Sequence, residues 1–319
     1  MIMLSAGVVI VPFLWLGIPS GHDFEFHLNS WMEVANQWRH GVIYPHWAAA
    51  AQYGHGEPRF IFYPPASWML GAALGTLLPW LAVPAAYLWI ALTLSGCSMF
   101  VLARRWFRRW DALFAAALYT ANPYFIVLVY WRSAYAELLA GVLMPLLLLY
   151  VLRAPEEGRR VIPPLGLIVA AAWLTNAPAA TMLCYSVVVL SVVVAITQRS
   201  ARILMFSMGA ILLGGALAAF FLVPAAYEQK WVNIASAGSG AAPPGQLSLY
   251  NHRRSGSQPI QFAGFSGSDG GDCCGRAGGG AVAQAAKGWF SALVVHGDLG
   301  RRGWRDDVSV RGIFLAVHP

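Results

Sequence analysis

The chain has 319 residues, of which 58% are hydrophobic and only 11% are charged, and its mean hydropathy is +0.57. Soluble domains carry about 25% charged residues, so this composition excludes an ordinary water-soluble globule and indicates a surface covered largely by lipid. The net charge of +7 does not indicate a nucleic-acid-binding protein, because basic residues of membrane proteins collect in cytoplasmic loops. We therefore expect the lipid bilayer as a partner, and no nucleic acid.

Apolar segments of spanning length recur along the chain. A spanning helix needs about 20 apolar residues. The candidates are 2–18, 84–103, 111–130, 135–152, 161–176, 178–197 and 203–223. Residues 2–18 have no basic segment before them and no clear cleavage site, which favours an uncleaved first span over a signal peptide. The sequence thus predicts an all-α, polytopic transmembrane bundle of about seven spans.

Arginine clusters predict the orientation. They lie at 104–109, 153–160 and 199–202, and two predicted spans separate each cluster from the next, so all three can face the cytoplasm. The loop 19–63, the connections 130–135 and 175–178 and the segment after 227 would then face outward. This pattern leaves room for one crossing between 64 and 103, so we expect 64–82 to be a re-entrant or interfacial helix.

The outer loop 19–63 contains a second helical pattern. Apolar residues recur at helical spacing between 24 and 38, and Gly41 is expected to end this helix. The predicted stripe consists of Phe24, Leu28, Trp31, Val34, Ala35 and Trp38. We expect an amphipathic helix on the membrane surface, paired with the re-entrant helix.

Asp23 is the candidate catalytic residue, because it follows the first span at the boundary between lipid and water. A carboxylate there could deprotonate an acceptor hydroxyl or help to bind a divalent metal ion. The alternative is an acid that only flanks the helix and stays hydrated. Glu25 would share a face with Asp23 in an extended segment but not in a helix.

Histidines are concentrated in the same loop, which contains five of the eight. They are His22, His27, His40, His46 and His55. Their spacing is irregular and gives no His-Glu-x-x-His motif, which favours interfacial histidines over a metal cluster. We predict no metal-ligand set, and keep His22 and His27 as substrate-binding candidates.

Basic and acidic residues near the outer end complete the candidate binding set. Arg59 could pair with the phosphate of a lipid-linked substrate or anchor a lipid headgroup. An unpaired acid at mid-span costs about 2.5–3.5 kcal/mol, so Glu137 is expected near the outer end and paired with Arg132; that pair could also be purely structural. The predicted substrate-binding residues are His22, Glu25, His27, Arg59, Tyr63, Arg132 and Glu137.

The stretch 236–319 differs from the rest of the chain. It holds 17 of the 32 glycines and lacks an apolar segment of spanning length. One interpretation is an irregular, disordered outer tail; the other is a frameshift near 236–250 that replaces further helices. We therefore divide the chain into a transmembrane module, 1–235, and a Gly-rich tail, 236–319. Translating the other two reading frames of the gene beyond codon 235 would test the frameshift, because a frameshift predicts further apolar segments there.

Several short motifs together resemble a known class. They are Gly-x-x-Tyr-Pro-x-Trp (41–47), Gly-His-Gly-Glu-Pro (54–58), Phe-Tyr-Pro-Pro (62–65) and Arg-Ser-Ala-Tyr-Ala-Glu-Leu (132–138). With an acid in the first outer loop, they resemble bacterial polytopic transferases of the glycosyltransferase-C type. More narrowly, residues 10–235 resemble the membrane proteins called "6-pyruvoyl-tetrahydropterin synthase-related"; the tail does not.

The resemblance implies a function, although it does not imply pterin chemistry. A chain of this type would transfer a sugar from a polyprenyl-phosphate donor, with inversion, at the extracytoplasmic face of the bacterial inner (plasma) membrane. Asp23 would be the catalytic base or help to bind a divalent metal ion. A lipid-linked substrate transporter or flippase, and a non-catalytic protein of the cell envelope, remain alternatives.

Overall fold

The structure is a computed structural model, and it describes residues 1–231. The predictions for the tail 236–319 therefore lie outside the described residues. Within residues 1–231 no strand forms, and the one extended pairing is an isolated antiparallel bridge between Ala48 and Glu57. The all-α prediction is confirmed.

The first part of the chain forms short and long helices in alternation. These are α1 Ile2–Ile10, α2 Phe13–Leu16, α3 Phe24–Arg39, α4 Arg59–Phe62, α5 Pro65–Leu77 and α6 Val83–Ala103. The second part is almost continuously helical. It contains α7 Arg109–Thr120, α8 Pro123–Val127, α9 Tyr135–Ala140, α10 Leu143–Glu157, α11 Ile162–Thr175, α12 Ala177–Thr197, α13 Arg202–Leu217 and α14 Ala219–Glu228.

Four helical segments in the described range are long and apolar enough to cross a membrane. They are Val83–Ala103, Arg109–Arg132, Tyr135–Thr175 and Ala177–Thr197. A fifth is present if α13 and the helix that follows it, which bend by 71°, count as one broken span. The multi-spanning character is confirmed, whereas the count of seven spans is not.

Two departures from the predicted spans have local causes. The apolar stretch 2–18 is divided after Ile10, because Pro12 lacks the N–H that a continuous helix would need there. The 41-residue segment Tyr135–Thr175 is about twice the length that one span requires. Its backbone leaves helical geometry at Gly158, with φ +58°, and α10 packs against α11 on either side of this turn.

Helix α3 packs into the protein through its apolar stripe. Trp31 and Val34 are fully buried, and the Trp31 ring stacks on Tyr87 of α6 at 4.9 Å between centroids. Helix α5 approaches closely at Gly71, where a Cβ atom would lie 2.2 Å from the Trp31 ring. The stripe is thus covered by the helices of the bundle instead of resting on lipid. The helix ends at Arg39, two residues before the Gly41 that the sequence indicated.

Helix α5 is the segment predicted to be re-entrant or interfacial. Its 13 residues give a length of about 20 Å, which is less than the ~30 Å of the hydrocarbon core. It packs on α3, so these two helices form a pair as predicted.

The three arginine clusters meet at one end of the bundle. Arg105, after α6, forms an ion pair with Glu156 of α10 at 2.5 Å. The turn Gly158–Val161 packs against α13, which begins at Arg202. The segment Arg109–Arg132 runs from this end to the opposite one, where the loop containing Asp23 lies.

Candidate functional site

Arg132 lies between two carboxylates at the end of the bundle away from the arginine clusters. Its Nη1 is 2.8 Å from Oε2 of Glu137, and its Nη2 is 3.9 Å from Oδ2 of Asp23. The side chains of Arg132, Asp23 and Glu137 are 46%, 32% and 24% exposed, respectively. The ion pair expected between Arg132 and Glu137 is therefore present, and it extends to Asp23. Two acids and one base share this site, which has a net negative charge.

Backbone contacts hold the start of the loop 19–63 against the segment that carries Arg132. The N–H of Asp23 donates to the carbonyl of Arg132 at 2.9 Å, and the N–H of Gly21 donates to Oγ of Ser133 at 3.0 Å. The Ser133 hydroxyl in turn donates to the carbonyl of Pro19 at 3.2 Å. Ser133 is buried, and its backbone has the left-handed conformation, with φ 53°, which non-glycine residues adopt rarely.

A π-helical turn, Leu128–Arg132, precedes Ser133. Such turns are rare and occur frequently at functional sites. Here the turn and the left-handed Ser133 together end the span and bring Arg132 next to Asp23. The predicted span 111–130 gave no sign of this turn, because a change in backbone hydrogen-bond register has no characteristic side-chain pattern.

Asp23 has a second partner in His22. Nδ1 of His22 lies 2.7 Å from Oδ1 of Asp23, and the imidazole is 88% exposed. Glu25 lies in the first turn of α3 and is exposed. Since residues two apart do not share a helix face, Glu25 takes the helical alternative considered for it and does not join the carboxylate site.

Two tyrosines face the carboxylates. The hydroxyl of Tyr124 donates to Oε1 of Glu137. Burial raises the pKa of Tyr63, and the negative charges of Asp23 and Glu137 raise it further. Tyr63 therefore stays protonated and can act as a hydrogen-bond donor. Tyr124 was absent from the predicted set of site residues. The one sequence feature that could have indicated it is the Asn122–Pro123 helix break, where the Asn122 side chain caps α8, the helix that carries Tyr124.

His27 lies behind these groups and is almost completely buried, with 3% exposure. Its ring contacts those of Phe26, Trp31, Tyr63 and Tyr135, with centroid distances between 5.3 and 6.1 Å. Burial lowers the pKa of His27 to about 4, against the opposing effect of the Asp23 carboxylate. The imidazole is thus neutral at pH 7 and forms part of an aromatic wall.

Arg59 is held by partners of its own. Its Nε lies 2.5 Å from Oε1 of Glu57, and its Nη1 donates to Oγ of Ser30 at 3.0 Å. The guanidinium also lies 4.7 Å above the ring of Phe26, which contacts Tyr63 at 4.9 Å. The structure therefore joins Asp23, Arg132 and Glu137 through ion pairs, and separates Arg59 from them by aromatic rings.

Glu33 organises the loop that carries Arg59. Its buried carboxylate accepts hydrogen bonds from the Gln37 side chain at 2.7 Å and from the N–H of Ala49 at 2.9 Å. The bridge between Ala48 and Glu57 continues this connection to the partner of Arg59. Glu33 was not among the predicted site residues, since an acid in an amphipathic helix is ordinarily solvent-exposed.

Within residues 1–231, no three His, Cys, Asp or Glu side chains are grouped so that they could hold a metal ion. The two acids of the site are instead bridged by Arg132.

Residues 60–242 match the family described as 6-pyruvoyl-tetrahydropterin synthase related domain, a family of membrane proteins. The chain belongs to this family. The matched region includes Tyr63, Tyr124, Arg132 and Glu137, and begins after Asp23. No curated protein and no solved structure is significantly similar to the chain.

Proposed function

We propose that this 6-pyruvoyl-tetrahydropterin synthase-related membrane protein is a glycosyltransferase that uses a polyprenyl-phosphate sugar donor. The proposal rests chiefly on one observation, the line of charges Asp23–Arg132–Glu137 at the end of the bundle away from the arginine clusters. The glycosyltransferase-C resemblance of the outer-loop motifs adds support.

The arginine clusters support an extracytoplasmic site. Lys and Arg near span ends favour the cytoplasmic side, so the end with Arg105 and Glu156 faces the cytoplasm in this proposal. Asp23 and Glu137 then face outward, in the bacterial inner membrane, where a polyprenyl-phosphate donor can reach them from within the lipid.

The carboxylates suit the acceptor better than the donor phosphate. Arg132 is shared by two acids, so most of its charge is already balanced. A phosphate beside Asp23 and Glu137 would meet repulsion from both. We therefore assign the acceptor sugar to these two acids together with His22 and Tyr63, and the donor phosphate to the side of Arg59, which has one acidic partner.

In this mechanism the Asp23 carboxylate is the general base. It takes the proton of an acceptor hydroxyl as the hydroxyl oxygen forms a bond to the anomeric carbon of the donor sugar. The bond between that carbon and the phosphate oxygen breaks, and polyprenyl phosphate leaves with the electron pair. Attack opposite the leaving group inverts the anomeric configuration. Asp23 returns its proton to water, to which a third of its side chain is exposed.

Arg132 and His27 have supporting roles in the proposal. Arg132 holds Asp23 and Glu137 at a fixed separation, since it contacts both. His27 is neutral and buried, so it shapes the pocket side of α3 without competing for the proton.

The decisive experiment compares Asp23→Asn with Glu25→Gln, a matched removal of an acid two residues away. Membranes containing each variant are supplied with radiolabelled polyprenyl-phosphate sugars, and transfer to lipid-soluble or polymeric acceptors is counted. General-base catalysis contributes about 10²- to 10⁴-fold, so Asp23→Asn is expected to lose at least about 100-fold while Glu25→Gln retains activity.

Protein inserted in the membrane is quantified for each variant, so that a folding defect is not mistaken for a catalytic one. Full transfer by inserted Asp23→Asn would refute the assignment of the base. If the unaltered protein transfers no sugar but moves labelled lipid between leaflets, the flippase alternative replaces the transferase.

A further inference from the structure

The cytoplasm-facing end of the proposed orientation carries an unusual excess of positive charge. Residues 104–111, 153–160 and 199–202 contain nine arginines and three acids, a net charge of +6. Two of the arginines are ion-paired: Arg105 with Glu156 at 2.5 Å, and Arg153 with Glu157 at 3.6 Å. Among the described residues, the others form no ion pair; they are Arg104, Arg108, Arg109, Arg159, Arg160, Arg199 and Arg202.

These arginines come from three separate turns that the fold brings together. The pair Arg105–Glu156 joins the turn after α6 to the end of α10. The turn Gly158–Val161, which contains Arg159 and Arg160, packs against α13. The charges therefore form one surface instead of three isolated turns.

Large aromatic side chains lie within the same surface. Trp106, Phe107 and Trp110 are 57%, 52% and 73% exposed. The guanidinium of Arg104 donates to the carbonyl of Phe107 at 2.8 Å, which fixes the turn that carries two of these rings. Tryptophan favours the boundary between headgroups and hydrocarbon, so the rings set the depth at which the arginines meet the membrane.

We propose that this basic–aromatic surface, formed by the unpaired arginines and the three exposed rings, binds the headgroups of anionic phospholipids. The unpaired guanidiniums match phosphodiester groups in charge and in hydrogen-bonding geometry. Arginines near a membrane surface are attracted to anionic lipids. Adjacent exposed aromatic rings fit a membrane interface better than they fit a soluble polyanion. This inference is independent of the proposed sugar transfer.

Lipid retention by the full chain tests the proposal. The protein is reconstituted into vesicles of equal parts phosphatidylcholine and phosphatidylglycerol and re-extracted in a mild nonionic detergent. Its retained phospholipids are then quantified by mass spectrometry. We expect phosphatidylglycerol to exceed phosphatidylcholine at least about tenfold, and Arg108→Gln/Arg109→Gln to lower that ratio several-fold while the remaining arginines keep part of the preference. High salt should lower it as well.

The matched control removes two cations at the other end of the bundle, in Arg39→Gln/Lys230→Gln, and is expected to keep the preference. Equal retention of the two lipids by the unaltered protein overturns the proposal, as does an equal loss in both double variants. If Arg108→Gln/Arg109→Gln does not insert, Arg159→Gln/Arg160→Gln tests the same surface. Even without a variant, the ratio of phosphatidylglycerol to phosphatidylcholine retained by the unaltered protein decides whether the protein prefers anionic lipids.

Discussion

Gly21 donates its backbone N–H to the side-chain oxygen of Ser133 at 3.0 Å, although the two residues are 112 positions apart. This contact attaches the beginning of the loop 19–63 to the end of the π-helical turn. Asp23 follows two residues later and bonds the carbonyl of Arg132 through its own N–H. The distance between the Asp23 carboxylate and the Arg132 guanidinium therefore depends on how closely the two backbones approach at Gly21.

Gly21→Ala should destabilise the protein and disturb the carboxylate site. A Cβ atom at Gly21 would lie 2.4 Å from the carbonyl oxygen of Trp131, and a backbone atom cannot rotate away. Overpacking of this kind costs about 1–3 kcal/mol. The apparent Tm in detergent should fall accordingly. Gly7→Ala is the control, since a Cβ there meets no atom within 4 Å inside helix α1 and should leave the Tm equal or higher. Equal Tm values for the two variants would contradict the close approach.

His27 should make stability depend on pH. Its folded-state pKa of about 4 lies below the unfolded value of 6.5, so the unfolded chain binds the proton more readily. Stability is therefore complete above pH 6.5 and is lost as the pH falls from 6.5 towards 4. The full difference is roughly 3 kcal/mol.

The measurement follows the apparent Tm of the unaltered protein and of His27→Gln between neutral pH and about pH 4.5. The Tm of His27→Gln should fall much less on acidification than the Tm of the unaltered protein. His55→Gln, at an exposed position, should show the same acid-induced fall in Tm as the unaltered protein. A pH profile of His27→Gln that is identical to that of the unaltered protein would rule out this origin.

The pair Arg132–Glu137 should show energetic coupling. The two side chains are partly exposed, so solvent screening limits the coupling to about 0.5–1 kcal/mol. Stabilities of Arg132→Gln, Glu137→Gln and the double variant give this energy directly, because the double variant should lose less than the sum of the single losses. The pair Arg153–Glu157, at 3.6 Å and one helical turn apart, is the weaker control. Coupling at Arg132 no larger than at Arg153 would argue against a special role for the bridge.

Spanning helices were predictable where composition alone decides them. The predicted spans 84–103 and 178–197 differ by one residue at the N-terminal end from Val83–Ala103 and Ala177–Thr197. Lipid imposes a minimum apolar length, and polar residues or helix breakers mark both ends. By contrast, the stripe of α3 gave no means of distinguishing lipid from protein as its cover, because both accept the same apolar side chains.

The candidate site was only partly predictable, because some of its contacts join residues that are distant in the chain. Arg132 and Glu137 are close in the chain, so their ion pair was foreseeable from the free-energy cost of leaving an acid unpaired in a membrane helix. The approach of Asp23 to Arg132 depends on contacts between distant segments, and the bond from Tyr124 to Glu137 depends on the helix break at Asn122. Arg59 was predicted to pair with a substrate phosphate or to anchor a lipid headgroup, and its ion pair with Glu57, two residues earlier, was not foreseen.

The buried hydrogen bond between Ser191 and Ser207 should stabilise the packing of α12 on α13. Their hydroxyl oxygens are 2.6 Å apart and both residues are buried. Interhelical hydrogen bonds in membranes contribute about 0.6 kcal/mol on average and up to ~1.7 kcal/mol, so Ser191→Ala should lower the apparent Tm in detergent. Ser191→Ala/Ser207→Ala should cost less than the sum of the single variants, because neither hydroxyl is then left unpaired. Ser186→Ala, at a half-buried position of α12 where the hydroxyl donates only to the Met182 carbonyl of the same helix, should leave the Tm nearly unchanged. Strictly additive losses at Ser191 and Ser207 would show that the hydrogen bond contributes nothing.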